Sequence, residues 1–258
     1  MRWLGYFFAI VRFLLLVISM IILLMVFFIL LPFLKNNNNW KYVIRNLWIR
    51  SAIFILGLKI TRRNTPYSGP AIFVCNHRSM TDPVIALRYF YAYVVAKMEV
   101  QSYPVLGRGA AVTGVIYVDR SNPESRKKTR KKMENRLDAG DSILIFPEGT
   151  VKSSHMTGQF KIGSFDISSN NNIPIVPISL DYKNRERDYW RPNEPLYKHF
   201  LDKFSKLFTH AYISFGEPIF NKNSWDLLEQ TQKYIDDRIA EVHPNPANFQ
   251  DENQEKLN

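Results

Sequence analysis

Residues 3–34 form an almost unbroken apolar run, interrupted only by Arg12 and a few small residues. As a helix, residues 13–34 alone extend over about 22 residues or roughly 33 Å, enough to cross a bilayer core. The run is too long for the apolar region of a secretory signal, and no small-x-small cleavage pattern follows it. An uncleaved anchor is therefore expected, with a single crossing and a re-entrant hairpin both open. Pro32 marks a stop or kink near its end.

Basic residues then accumulate: Lys35, Lys41, Arg45, Arg50, Lys59, Arg62 and Arg63, against Arg2 and Arg12 at the other end. That asymmetry predicts an inner, cytoplasmic membrane with the downstream domain on its cytoplasmic face. Asn36 to Asn39 read as a polar hinge. Residues 40–58 interleave aromatics, aliphatics and arginines, a pattern shared by a helix on a membrane surface and a helix packed on a sheet.

From there the chain alternates. Residues 71–75, 92–96, 112–118, 142–146, 173–180 and 211–215 are short apolar, β-branched runs expected to be strands. Residues 83–91 and 123–139 are expected helices between them, and 196–208 and 225–241 are amphipathic helices flanking the last strand. The pattern predicts an α/β fold, a mostly parallel sheet flanked by helices, with an N-terminal membrane-embedded helical segment. Ser121-Asn122-Pro123-Glu124 fits a capping box, and Gly140 a helix stop.

Two of the strands run into short motifs. Asn76-His77-Arg78-Ser79-Met80-Thr81-Asp82-Pro83 follows the first, with Asp82-Pro83 reading as a helix start in which aspartate caps and proline takes the first turn. His77 therefore belongs on a loop at the carboxyl end of a strand, where open α/β sheets place their sites. An imidazole held by a nearby carboxylate has one fixed tautomer and a more basic free nitrogen, which suits a general base. The alternative is a histidine that only closes a turn. Phe146-Pro147-Glu148-Gly149-Thr150 follows the 142–146 strand and also carries an acid at its end.

With the block Gly114-Val115-Ile116-Tyr117-Val118-Asp119-Arg120 between them and Ile175-Val176-Pro177-Ile178 after them, these motifs resemble the glycerolipid acyltransferase family, above all its 1-acylglycerol-3-phosphate acyltransferases. The resemblance covers roughly residues 70–180, in the family's order. It implies a membrane-bound enzyme that moves a fatty acyl group from acyl-CoA or an acyl carrier protein to the sn-2 hydroxyl of lysophosphatidic acid, giving phosphatidic acid. His77 would be the base and Asp82 its orienting partner. The family also implies acceptor binding by Arg120, Glu148, Gly149 and Thr150, and the run Phe160-Lys161-Ile162-Gly163 brings in Lys161. Glu148 is anionic and cannot attract phosphate, so it is read as orienting a hydroxyl or a basic partner. For Arg120 the competing reading is a surface ion pair with Asp119 or Glu124. The expected organisation is an anchor over 1–35, an amphipathic linker helix over 36–64, an acyltransferase domain over 65–243 and a polar tail over 244–258.

One position departs from the family. Many members carry arginine directly after Glu-Gly-Thr; here Val151 stands there, with Lys152 next. Either Lys152 substitutes, or phosphate binding rests on Arg120 and Lys161. Lysine is a point charge without arginine's planar fork, so acceptor choice is expected to loosen toward other lysophospholipids. Pro104-Val105-Leu106-Gly107, with Lys97 and Glu99 before it, also matches the family's spacing without revealing a role.

Charge limits the partners. A net charge of +11 calls for anionic ones. Arg126-Lys127-Lys128-Thr129-Arg130-Lys131-Lys132 is either a solvated helix face or a site for lipid headgroups or coenzyme A phosphates. No aromatics interleave with it and no nucleic-acid-binding motif occurs, so nucleic acid is not expected. The single cysteine, Cys75, excludes an internal disulfide and reads as a small buried hydrophobe rather than a nucleophile. His155, His199, His210 and His243 sit in no partner pattern, and neither a zinc motif nor a dinucleotide or phosphate loop is present. No metal and no bound cofactor are expected, the thioester being a co-substrate. A non-catalytic, anionic-lipid-binding membrane protein with the same fold is the alternative; it has no use for a His77–Asp82 pair.

Overall fold

The computed structural model describes residues 2–30, 32, 40–102, 107, 109–110 and 114–242. Two helices come first, α1 (Arg2–Leu30) and α2 (Trp40–Ile55), followed by β1 (Leu58–Arg63), β2 (Ile72–Cys75), α3 (Asp82–Ala86) and β3 (Tyr93–Lys97). The chain continues through β4 (Val115–Val118), α4 (Pro123–Asp138), β5 (Ile143–Ile145), α5 (Gly163–Asn171), β6 (Ile175–Tyr182), α6 (Arg185–Asp188), α7 (Leu196–Phe204), β7 (Thr209–Phe215) and α8 (Ser224–Val242). Pro104, Val105 and Leu106, Val112, the asparagine hinge and His243 lie outside the described residues.

The strands form one sheet in the order β1-β7-β6-β2-β5-β3-β4. β6, β2, β5, β3 and β4 are mutually parallel; β7 turns back antiparallel to β6, and β1 runs parallel to β7. β2 is central, with Ile72 opposite both Ile143 and Ile175. Its four residues are all buried because both faces are covered, which is why the strand reads as a continuous apolar run rather than an alternating one. The pleat still separates them. Phe73 and Cys75 join a core with Ile49 and Ala52 of α2, Ile85 of α3 and Phe204 of α7, while Ile72 and Val74 join Met133 of α4, Phe165 of α5 and Ile235 of α8.

Several boundaries depart from expectation. Residues 58–63, placed in the linker by the sequence, are an edge strand of the sheet, with only Leu58 fully buried. The helix expected over 83–91 ends at Ala86, and Phe90 instead stacks on Phe73 with ring centroids 4.0 Å apart. The cap of α4 is Asn122, whose side chain accepts from the amides of Glu124 and Ser125, with Gly140 in the left-handed region just beyond the helix end.

α1 is long and apolar enough to cross a membrane by length and composition, and most of its large side chains are exposed. One stripe is not. Ala9, Leu16 and Met20 are buried, Phe13 meets Phe200 edge to face at 5.6 Å, and the Tyr6 hydroxyl donates to Asp202 at 2.9 Å. Arg12, the single charge in the apolar run, donates to the carbonyls of Phe204, Lys206 and Leu207 at 2.6–3.0 Å. A cation on the unpaired carbonyls at the end of α7 completes that helix and binds α1 to it. α2 packs Ile44, Ile49 and Ala52 inward and its buried Arg45 donates to the Ala92 carbonyl at 2.7 Å, while Trp40, Val43, Leu47 and Phe54 face outward. The basic run of α4 lies on the opposite face of the sheet from α1 and α2.

Candidate active site

Parallel strands deliver their carboxyl ends to one edge, and β2, β4 and β5 each hand over a functional loop there. His77 is two residues beyond β2. Its Nδ1 lies 2.7 Å from Asp82 Oδ2, and its half-buried ring packs on Phe146 with centroids 4.5 Å apart. A ring nitrogen against a carboxylate carries the proton, so Nδ1–H donates and, in the neutral ring, Nε2 holds the lone pair.

Asp82 itself does not cap α3. It is the first residue of the helix, flanked by Thr81, which makes no side-chain cap bond. Its carboxylate turns back onto its own loop: Oδ2 also accepts from the amides of Arg78 at 2.5 Å and Ser79 at 2.7 Å, and Oδ1 accepts from the Tyr182 hydroxyl at 2.5 Å. Burial alone would raise this carboxyl, but the hydrogen bond and charge of His77, the Lys203 ammonium and the Tyr182 hydroxyl outweigh it and hold it below its ordinary value. Asp82 is thus an anion fixed in place.

Glu148 holds the loop from the other side. Its Oε2 accepts the His77 amide at 3.0 Å and Oε1 accepts the Gly158 amide at 2.9 Å, with the buried Arg78 guanidinium 3.9 Å away. Burial raises its pKa despite those donors and Arg78. The His77 carbonyl in turn accepts from the Lys152 amide at 2.9 Å. Glu148 therefore binds backbone on both sides of the site.

A second cluster centres on Gly149, whose φ of +74° is in the left-handed region. Arg120 donates to the Gly149 carbonyl, and a Cβ at Gly149 would lie 2.9 Å from Arg120 Nη1 and 3.1 Å from Lys161 Nζ. Two cations thus converge above a bare backbone. Burial lowers the Arg120 pKa somewhat, and Glu99 counters it, which gives that residue a neighbour the sequence did not reveal. Asp119, the ion-pair alternative for Arg120, is occupied by the amide and hydroxyl of Ser121. Lys152 runs its methylenes along Gly158 instead, and Thr150 is exposed next to Gly149. Cys75 is buried and its thiol is pushed well up by that burial, so a thiolate is disfavoured there.

Other polar residues complete the site, one from the first motif and three from outside both. Asn76, fully buried, exchanges two 2.8 Å hydrogen bonds with the backbone of Leu180 and so ties the end of β2 to β6. Tyr182, Lys203 and His199 reach the back of the Asp82 loop from elements a hundred or more residues away. His199, which sits in no sequence pattern, lies 3.0 Å from Ser79 Oγ and stacks on Trp190.

Residues 58–181 match the Acyltransferase family model. The lyso-ornithine lipid O-acyltransferase of Brucella abortus (strain 2308) is 25% identical over 206 residues, covering 73% of this chain and 77% of that protein. A chloroplastic 1-acyl-sn-glycerol-3-phosphate acyltransferase of Brassica napus is 30% identical over 156 residues, 57% of this chain, which spans 44% of the plant protein. The crystal structure of the 1-acyl-sn-glycerophosphate (LPA) acyltransferase PlsC from Thermotoga maritima shares the fold, with a TM-score of 0.66 over 92% of this chain and 98% of that one at 17% identity. The motif blocks that end β2 and β5 lie within the matched residues, and over that stretch the chain is similar to the glycerolipid acyltransferases.

Proposed function

We propose that this protein is a membrane-associated lysophosphatidic acid acyltransferase in which His77 is the general base, Asp82 its orienting anion, and Arg120 with Lys161 the cradle for the acceptor phosphate. The observation that carries the reading is the His77 Nδ1 contact with a fully buried Asp82, which fixes the neutral ring's tautomer so that Nε2 is the nitrogen with the free lone pair. In that reading Nε2 takes the proton of the acceptor's sn-2 hydroxyl as its oxygen attacks the thioester carbonyl. A tetrahedral oxyanion forms, collapses, and expels the thiolate, which recovers the proton from His77. No acyl-enzyme is needed. General-base help of this kind is worth roughly 10²–10⁴ in rate.

Both cations sit over Gly149, where the missing side chain lets a phosphate approach the backbone. Glu148 and Thr150 complete the motif, Glu148 by holding the loops and Thr150 by offering an exposed hydroxyl. The donor is acyl-CoA or an acyl carrier protein. The exposed faces of α1 supply the lipid contact, and the basic residues after it favour a catalytic edge on the cytoplasmic side.

A second acceptor is favoured by two observations: Val151 replaces the motif's arginine, and a lyso-ornithine lipid acyltransferase is among the relatives. Full-length protein in vesicles, given labelled acyl-CoA or acyl carrier protein and a panel of lysophosphatidate, lysophosphatidylcholine and lyso-ornithine lipid, tests both. Transfer to lysophosphatidate is expected, lost in His77→Ala with membrane binding intact. Transfer only to lyso-ornithine lipid selects the second acceptor, and transfer to none leaves the anionic-lipid-binding alternative standing.

A further inference from the structure

Behind the Asp82 loop lies a buried lysine that neither motif includes. Lys203, on α7, is fully buried, and its ammonium donates to Ser79 Oγ at 2.6 Å, Thr81 Oγ1 at 3.0 Å and the Asp188 carbonyl at 3.2 Å. Three donors meet three acceptors, so the geometry is that of a charged ammonium. It also sits 3.6 Å from the centre of the Tyr182 ring.

The hydroxyls in front of it have only one consistent direction. Tyr182 gives its single proton to Asp82 Oδ1 at 2.5 Å. Thr81 Oγ1, 2.8 Å from the Tyr182 oxygen, must therefore donate to it, and it is Lys203 that donates to Thr81. On the other branch His199, pushed down to about 3 by burial and by Lys203, is neutral. Its Nδ1 faces Glu194 at 3.4 Å, which leaves Nε2 to accept from Ser79. Every proton on the Thr81–Tyr182 branch thus points from the ammonium toward the carboxylate. Such chains polarise one another and stiffen their end groups.

We propose that Lys203 is a positioning residue for the His77–Asp82 pair: through Thr81 and Tyr182 it fixes Asp82 Oδ1, and its charge keeps Asp82 ionised and opposes a second positive charge on the His77 ring. The inference rests on the base assignment made above. A buried cation without a carboxylate in direct contact is costly to keep, and a lysine that served packing alone would be replaceable by methionine. Burial draws the ammonium down to about 7 against the pull of Asp188 and Asp82, with Lys206 adding to the fall. Those three groups, with Tyr182 and His199, are the titratable neighbours that face it.

The test compares full-length wild type, Lys203→Met, Thr81→Val and His77→Ala in vesicles, reading kcat and acceptor KM from pH 5 to 9 alongside thermal unfolding. For a folded Lys203→Met protein, kcat falls about tenfold or more with KM within about twofold, the pattern of a lost transition-state interaction. The acid limb of kcat/KM also moves to higher pH, because a charge that resisted imidazolium formation is gone. A folded Lys203→Met with wild-type kcat, or with an unmoved acid limb, overturns the proposal. Should Lys203→Met fail to fold, Thr81→Val decides: it cuts the branch with nearly equal volume, and a kcat reduced at constant KM supports the assignment while a wild-type kcat overturns it. His77→Ala separates the two readings. If it stays fully active the base assignment itself is wrong; if it is inactive while Lys203→Met is normal, only the role of Lys203 falls.

Discussion

The Glu148 carboxylate holds the backbone amide of His77 at 3.0 Å, although seventy-one residues separate them in sequence. Its other oxygen holds Gly158, so the acid of the second motif sets where the histidine of the first one stands. Glu148→Ala leaves both amides unpaired in a buried site. Stability is expected to fall by about 1–3 kcal/mol in a denaturant titration, with kcat down roughly tenfold or more because the His77 loop is no longer fixed. Acceptor KM should change less than kcat; the reverse ratio would make Glu148 a substrate contact instead.

Gly149→Ala puts a methyl group where Arg120 Nη1 and Lys161 Nζ converge and asks a residue with a Cβ to hold φ at +74°. The backbone strain costs about 1–2 kcal/mol. The larger effect should be on the acceptor, because both cations must retreat: losing about 1.4 kcal/mol of phosphate attraction raises KM about tenfold. A control acceptor without phosphate should show little change, and equal losses for both acceptors would remove the phosphate from this position.

Arg12→Leu makes α1 more apolar and yet should weaken the protein. The carbonyls of Phe204, Lys206 and Leu207 lose their donor, and α7 loses the cation at its C-terminus. A decrease of about 1–3 kcal/mol in unfolding free energy is expected, with membrane partitioning retained or increased. Unchanged stability would mean that solvent or lipid headgroups satisfy those carbonyls equally well.

Lys203 should leave a signature in the pH dependence of folding. Its ammonium is depressed to about 7 in the folded protein from an ordinary value of 10.5. Between those limits the unfolded chain binds the proton and the folded one does not, so this group makes the protein more stable as pH rises from about 7 to 10.5; below 7 the full cost of the buried charge is present. Lys203→Met lacks this dependence. Its stability relative to wild type is therefore expected to be most favourable near pH 6 and to decline toward pH 10, measured by urea unfolding at each pH. A pH-independent difference would show that Lys203 titrates at its ordinary value.

Much of this was written in short-range patterns. β2 and β5 are covered on both faces, so their residues are uniformly apolar, and the motif that follows each sits at the strand's end. That is why His77, Asp82 and the Glu-Gly-Thr block could be placed on one edge from sequence. β1 was missed because Leu58-Lys59-Ile60-Thr61-Arg62-Arg63 is an edge strand with mostly solvated side chains, whose basic residues look like a continuation of the helix before it. The role of Asp82 was half legible: Asp-Pro announces a helix start, but the carboxylate turns toward the preceding loop rather than the helix amides. Tyr182, His199 and Lys203 lay beyond reach for another reason. Each lies 100 or more residues from its partner in the Asp82 loop, and a lone lysine in an amphipathic helix is indistinguishable from one that faces water until the fold turns it inward.

Arg12, Tyr6 and Phe13 make α1 a strut rather than a tether. A hinged anchor would let the reactive edge of the sheet drift in height and tilt over the lipid surface. With α1 in lipid, as proposed above, both would be dictated by side-chain packing along a single helical stripe, so exchanging the residues of that stripe would change how deeply the edge rides, and with it which part of a lipid comes level with His77, without altering one atom of the site.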